Sequence, residues 1–249
     1  MNITGDFEKA AKSLLRTGKE HVRVEMTRRM DSGRLAVRTI RNLPGTLDTD
    51  ETDILFFHDM SGAPTVEIAE NIPCRTTSGR EALNGNTSKR IFISLSDEAD
   101  IRVCLAVSSK EDSSLLGVGI DLADVRDAAG ILKVSPARFR RNFSEKEWEH
   151  LAGKDEDWKM QYAARLLSLR EAAFKSMSRV YNLYRKENQD RPLPVSFMDF
   201  CFPDGEGAVF RGMTADICKK EQIEIQTAYI SWGSLAGSVA VCRKKKRKE

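Results

Sequence analysis

The sequence predicts an α+β fold, with strands and helices in separate runs and a hint of internal duplication, on three observations. Of 249 residues, 41% are apolar and 31% charged, which suits a packed soluble globule and is too apolar for a disordered chain. Alternating strand patterns before residue 122 and after residue 195 flank a long stretch, residues 157–184, with helical apolar spacing. Two hairpin-like segments, RIFISLSDEADIRVCLAV (90–107) and EIQTAYISWGSLAGSVAVC (224–242), resemble each other and would join as halves near residues 108–114.

The elements follow in order. Phe7, Ala10, Ala11, Leu14 and Leu15 share one helical face, so a short amphipathic helix is expected over 7–15. A second helix is expected within 28–43, interrupted by Gly33 and closed by Pro44 and Gly45. Strands follow at DILFFH and TVEIA, separated by a turn at 61–64, and then a polar loop over 76–89. RIFISLS and IRVCLAV are two more strands, joined by an acidic loop at 97–100. LLGVGIDLADV is an apolar strand that ends on an acid, and from Ser135 the pattern turns helical. In the long helix Ala163, Leu166, Leu167, Ala173, Phe174 and Met177 face a sheet. VSFMDFCF, GAVFRG, EIQTAYISW and SVAVC return the chain to strands. The expected division is an N-terminal lobe over 1–112, a C-terminal lobe over 113–242 and a basic tail over 243–249.

Composition excludes several classes. A net charge of +3 gives no electrostatic reason for nucleic-acid binding. The one dense basic run, RKKKRK at 243–248, reads as a solvated tail. No apolar run approaches the roughly 18 residues of a membrane span, and the acid-bearing N-terminus does not read as a signal peptide. Cys74, Cys104, Cys201, Cys218 and Cys242 are widely spaced, without a C-x-x-C pair. They suit core positions in a reducing cytoplasm rather than a zinc site. His21, His58 and His150 lie far apart, so each reads as a surface or packing residue.

Three segments carry candidate chemistry: Gly117 to Asp124 (GVGIDLAD), Phe143 to Glu147 (FSEKE), and Ser168 to Lys175 (SLREAAFK). A carboxylate near the C-terminal end of a strand, Asp121, projects into the opening above a sheet. Glu171 and Lys175 are four apart on a helix and share a face. A carboxylate from each element suits a hard cation such as Mg²⁺, with places left for phosphate oxygens and water. Lys175 would offer a point charge to the same phosphates. Singly these are ordinary features: a Glu–Lys pair at this spacing is usually a solvated helix pair, and Asp121 alone suits a strand-end turn.

Together and in this order, the segments resemble the 4′-phosphopantetheinyl transferases, whose pattern runs G-[IV]-D, F-[ST]-x-x-E and [WF]-x-x-K-E-[AS]. The counterparts here are Gly119-Ile120-Asp121, Phe143 to Glu147, and Leu167 to Ala172. Ser61-Gly62-Ala63-Pro64 is similar to the family's G-[KA]-P segment, and IFISLSDEADIRVCLAV to its S-[IL]-S-H hairpin. That hairpin precedes GID, as in the fused two-lobed (surfactin-type) form, whereas the short relatives place it last and assemble as trimers. The resemblance covers about residues 55–242 and leaves the first 50 poorly matched.

The resemblance implies two lobes related by a pseudo-twofold axis, each an antiparallel sheet packed on a long helix, with coenzyme A in the cleft. It implies transfer of 4′-phosphopantetheine from coenzyme A to a serine of an acyl or peptidyl carrier protein, releasing 3′,5′-ADP, by a cytoplasmic monomer. Asp121 and Glu171 would bind Mg²⁺, Glu171 would help remove the serine proton, and Lys175 would stabilise phosphate charge. Ser94, Ser96, Asp97, Arg170 and Lys175 would line the coenzyme A site. The role of Glu147 stays open.

Three positions depart from the family. Asp97 stands where the family has a phosphate-binding histidine, and two unit charges 4 Å apart interact by about 4 kcal/mol at an effective dielectric of 20. Arg170 stands for lysine, keeping charge but not shape. Ala123 stands where many two-lobed members carry an acid, with Asp124 one residue on. Arg28, Arg29, Arg34 and Arg38 are candidates to replace lost positive charge. These losses fit a transferase with a rewired phosphate pocket, or a paralogue that binds coenzyme A or a carrier protein without transfer.

Overall fold

The computed structural model describes residues 2–15, 20–43, 54–58, 64–68, 89–98, 100–110, 113–187, 193–203 and 207–245. Residues 61–63 of the turn expected at 61–64, residues 76–88 of the loop expected over 76–89, Cys74 and residues 246–249 lie outside them.

The fold is α+β with antiparallel sheets. In order come α1 (Ile3–Leu15), β1 (His21–Thr27), α2 (Ser32–Arg41), β2 (Ile54–His58), β3 (Pro64–Ile68), β4 (Lys89–Glu98) and β5 (Ile101–Lys110). Then follow β6 (Leu115–Asp124), α3 (Val125–Val134), α4 (Pro136–Arg141), α5 (Glu145–Leu151) and α6 (Glu156–Glu187). β7 (Phe200–Cys201), β8 (Val209–Phe210), α7 (Gly212–Lys220), β9 (Ile223–Trp232) and β10 (Leu235–Lys244) complete the chain.

Two three-stranded sheets repeat one order. The first runs β1-β5-β4 and the second β6-β10-β9. In each, the second strand of a hairpin lies in the centre and pairs outward with the first strand of its half. Alternation then sorts the side chains. Val22, Val24, Val103, Leu105 and Val107 of the first sheet join Val118, Ile120, Leu122, Val239 and Val241 of the second in one core. The opposite face of the second sheet packs on α6 through Ala236, Ala240 and Cys242. The opposite face of the first sheet packs on α2 through Cys104 and Ala106. The helix on the second sheet is 32 residues long, whereas the one on the first has ten. Among the described residues the expected long helix is therefore found in one half only.

Other departures from expectation have local causes. The second helix begins only at Ser32, where the Asp31 carboxylate caps it by accepting from the Arg34 amide at 3.0 Å. The expected acidic loop at 97–100 is shorter than that, because the ladder continues to the pair Glu98–Ile101. The basic tail does not begin at Arg243. Arg243 and Lys244 complete β10, and the Arg243 guanidinium is buried against the C-terminus of α1, donating to the carbonyls of Leu14 (2.6 Å) and Leu15 (3.3 Å). Helix ends leave such carbonyls unpaired and negative, which suits an arginine. Cys104, Cys201, Cys218 and Cys242 are free and buried. Among the described residues no helix is long and apolar enough to cross a membrane.

Candidate functional site

The GVGID segment holds β6 tightly under α6. A Cβ at Gly117 would stand 2.1 Å from the Ser176 carbonyl oxygen, and one at Gly119 only 1.8 Å from that of Ala172. Only glycine lets the helix backbone approach so closely. Two residues on, the same face of β6 presents Asp121 to α6 at the point where Glu171 and Lys175 emerge. The Lys175 ammonium lies 2.8 Å from Asp121 Oδ1 and 3.2 Å from Glu171 Oε1. The strand-borne and the helix-borne carboxylate thus converge on one lysine. Asp121 is 3% exposed, while the Glu171 side chain is 55% exposed. Burial pushes the Asp121 carboxyl up to about 7, against the pull of Lys175 and with the Glu171 charge adding to the rise. Burial opposes the charge on Lys175, but the two carboxylates outweigh it and hold its pKa above the ordinary lysine value.

Asp121 and Glu171 line one pocket together with Glu98, Asp124 and Asp127, five acids with no lysine or arginine beside them in the wall among the described residues; its apolar part includes Ala123, Ile131 and Phe197. Glu98 comes from the end of β4, so both sheets contribute to the pocket. Burial and the neighbouring Asp127 push its carboxyl up to about 7, with Asp124 and Asp97 adding repulsion. Asp124 acts locally, capping α3 by accepting from the Arg126 amide at 2.8 Å and pairing with the Arg126 side chain. Asp97 itself is exposed.

The two serines of the SLS segment act between the sheets. Ser94 Oγ accepts from the Ile120 amide at 3.0 Å and Ser96 Oγ from the Leu122 amide at 3.1 Å. Two hydroxyls two residues apart on β4 thereby satisfy two amides two apart on the edge of β6 that β10 leaves free. Ser96 Oγ also donates to Asp121 Oδ1 at 2.9 Å. Both serines, expected to donate to a cofactor phosphate, are buried, and Ser96 donates to the Asp121 carboxylate.

Arg170 likewise does not reach the pocket. It is 0% exposed, and its guanidinium contacts Glu147 Oε2 at 2.5 Å, the Phe200 carbonyl at 2.9 Å and the Asn142 carbonyl. Adjacent helical residues point about 100° apart, and of this pair it is Glu171 that lines the pocket. The same contacts answer the open question of Glu147. That residue forms a capping box with Ser144, accepts from the Phe202 amide at 2.8 Å, and is buried against Arg170. Phe143 lies under the same guanidinium, 5.8 Å from ring centre to carbon. FSEKE and the arginine of SLREA thus make a buried strut joining α5, α6 and β7.

The arginines offered as replacement charge lie elsewhere. Arg28 pairs with Asp100 at 3.5 Å, Arg34 with Asp31 at 3.5 Å and Arg38 with Glu25 at 2.7 Å. Glu98 and Asp127 escaped sequence reasoning, although Glu98 follows the hairpin motif directly and Asp127 lies in the first turn after the GID strand.

Two carboxylates facing one pocket suit a hard divalent cation that keeps water or phosphate oxygens as its remaining ligands. Among the described residues no group of three histidines, cysteines or acids is arranged to hold a metal ion.

Residues 117–230 match a family model described as ACPS, the 4′-phosphopantetheinyl transferase superfamily. Similar solved structures include the holo-ACP-synthase of Plasmodium yoelii, at 16% identity over 53% of this chain and 97% of that one, with a TM-score of 0.42. Another is the ACPS–CoA complex of Chronobacterium ammoniagenes, at 18% identity over 52% and 97%, with a TM-score of 0.41. A third is the Helicobacter pylori holo-[acyl-carrier-protein] synthase in complex with coenzyme A, at 17% identity over 50% and 98%, with a TM-score of 0.34. No curated protein matches the chain.

Proposed function

We propose, from the match of residues 117–230 to the family model of the 4′-phosphopantetheinyl transferase superfamily, that this protein transfers 4′-phosphopantetheine from coenzyme A to a serine of an acyl or peptidyl carrier protein. The observation that carries the reading is the convergence of Asp121 and Glu171 on Lys175 at the wall of one pocket. We read residues 1–112 and 113–242 as the two lobes, with Arg243 and Lys244 belonging to the second, and the protein as a cytoplasmic monomer.

Five acids in the wall repel a free diphosphate, so coenzyme A enters only with its charge neutralised. Asp121 and Glu171 would hold Mg²⁺, which when bound supplies that neutralisation for the diphosphate and for the departing phosphate. Lys175 fixes the Asp121 carboxylate and adds a positive charge beside the diphosphate. Ser96 holds the same carboxylate from the opposite sheet, so its orientation is set before the ligand arrives. Glu171, the exposed member, accepts the proton of the attacking serine hydroxyl. The serine oxygen bonds to the phosphorus carrying the pantetheine arm, the bond from that phosphorus to the bridging oxygen breaks, and 3′,5′-ADP leaves with the electron pair.

Incubation with coenzyme A, Mg²⁺ and a panel of apo carrier proteins tests this. One phosphopantetheine mass should be added to a carrier by the wild type and not by Glu171→Gln. A second reading, a paralogue that binds without transfer, is favoured by the exposed acid at Asp97 and by the lack of a basic residue among the described residues of the pocket wall. Mg²⁺-dependent coenzyme A binding with no mass gained by any carrier would select it.

A further inference from the structure

The two sheets can be superimposed in register. Ile101 and Leu235 each follow a two-residue hairpin turn, closing against Glu98 and Trp232. Counting on three residues equates Cys104 with Ser238. Their partners on the outer strand are Glu25 and Asp121. Both acids face the helix of their own half, and both are buried, at 4% and 3% exposure. Glu25 is thus the counterpart of Asp121.

The helices continue the match. Asn42, at the end of α2, donates to Glu25 Oε1 at 2.5 Å, as Lys175 of α6 donates to Asp121 Oδ1 at 2.8 Å. Setting Asn42 on Lys175 brings the buried α2 positions Leu35, Ala36, Thr39 and Ile40 onto Ser168, Leu169, Ala172 and Ala173, each of them buried. In that register Arg38 falls on Glu171. Arg38 Nε pairs with Glu25 Oε2 at 2.7 Å, and Arg23 reaches Oε1 at 3.2 Å.

We propose that Glu25, Arg38 and Asn42 are a second copy of the Asp121, Glu171 and Lys175 constellation, closed to ligand cations because Arg38 supplies the positive charge from within the chain. Charges decide the difference. Asp121, Glu171 and Lys175 leave one net negative charge, which attracts a cation. Around Glu25, three cations, Arg38, Arg23 and Lys12, face two acids, Glu25 and Glu8, with Glu8 reached by Lys12 at 3.6 Å and by Arg23 at 3.7 Å. That net positive group offers a cation nothing. A chain therefore takes one divalent cation, in its C-terminal half. The proposal rests on the reading of Asp121 and Glu171 as a cation site. It also predicts that reversing Arg38 reopens the other copy, with Arg23 then standing as Lys175 does.

Mn²⁺ titration followed by electron paramagnetic resonance tests this on the whole chain. The expected stoichiometry is one ion for wild type, two for Arg38→Glu, and one again for Glu25→Gln combined with Arg38→Glu. A folded Arg38→Glu protein that binds no ion beyond the wild-type number overturns the proposal. No ion on the wild type but one on Arg38→Glu sinks the Asp121 reading and leaves the proposed counterpart standing. Should Arg38→Glu not fold, a urea double-mutant cycle on Glu25→Gln and Arg38→Gln decides. Coupling of about tenfold in the folding equilibrium supports the buried internal ion pair, and no coupling overturns it.

Discussion

At the scale of single residues, the family pattern separates into two kinds of position that sequence alone presents as one. Asp121 and Glu171 line the pocket and Lys175 bridges them from behind, whereas Glu147, Arg170, Ser94 and Ser96 are buried in the frame around it. The buried Glu147–Arg170 pair carries the sharpest stability prediction. Removing one partner leaves the other charge unpaired in the interior, so Arg170→Met should cost about 3–5 kcal/mol in urea unfolding. The sign with pH follows from Glu147. Burial alone would raise its carboxyl, but Arg170 and the amides of Phe202 and Ser144 outweigh burial and hold it below the usual value. Its contribution is therefore present above the unfolded carboxylate pKa and is lost as pH falls through the folded one. The stability gap between wild type and Glu147→Gln should shrink on acidification, as read by denaturant midpoints. A gap that widens contradicts the assignment. Convergence of Asp121 and Glu171 was legible through the order of the three segments, since each acid by itself suits an ordinary turn or a solvated helix pair. The burial of Arg170 was not, since a helical Arg-Glu step does not say which residue faces the solvent.

At the scale of elements, close approach of α6 to β6 sets the site, and the glycines permit it. Gly119→Ala places a methyl inside a backbone carbonyl's radius. It should destabilise by about 1–3 kcal/mol or more, with a lowered melting temperature; an unchanged melting temperature contradicts the close packing. The C-terminal strand has its own anchor. Arg243→Ala removes two charged hydrogen bonds from the end of α1 and should cost about 1.5–3 kcal/mol. A solvated tail residue would change nothing. Periodicity revealed α1, the long α6 and both hairpins, since each has a continuous apolar face. It also held the signal of β1, where Val22, Val24 and Met26 alternate, but three alternating residues beside a charged run fall below what a pattern reading weighs. The basic run concealed the end of β10 in the same way: Arg243 looks solvated until the helix terminus it meets is known.

At the scale of the whole molecule, two sheets of one strand order share a core, and serine hydroxyls from one satisfy the free edge of the other. The sequence hinted at this duplication through its two hairpins, but the matching outer strands and helices differ too much in length and charge to be read from the chain alone. The pocket opens where the halves meet, with Glu98 from one and Asp121 and Glu171 from the other. In the proposed transfer, a cation that offsets this concentration of acid would let a diphosphate enter, so ligand binding should depend on the cation. Calorimetric titration with coenzyme A, with Mg²⁺ or with a chelator, on wild type and on Asp121→Asn, tests it most directly. The account predicts binding by the wild type with Mg²⁺, and at least about tenfold weaker binding when either the cation or the Asp121 carboxylate is removed. Equal affinity in all of these titrations would contradict it.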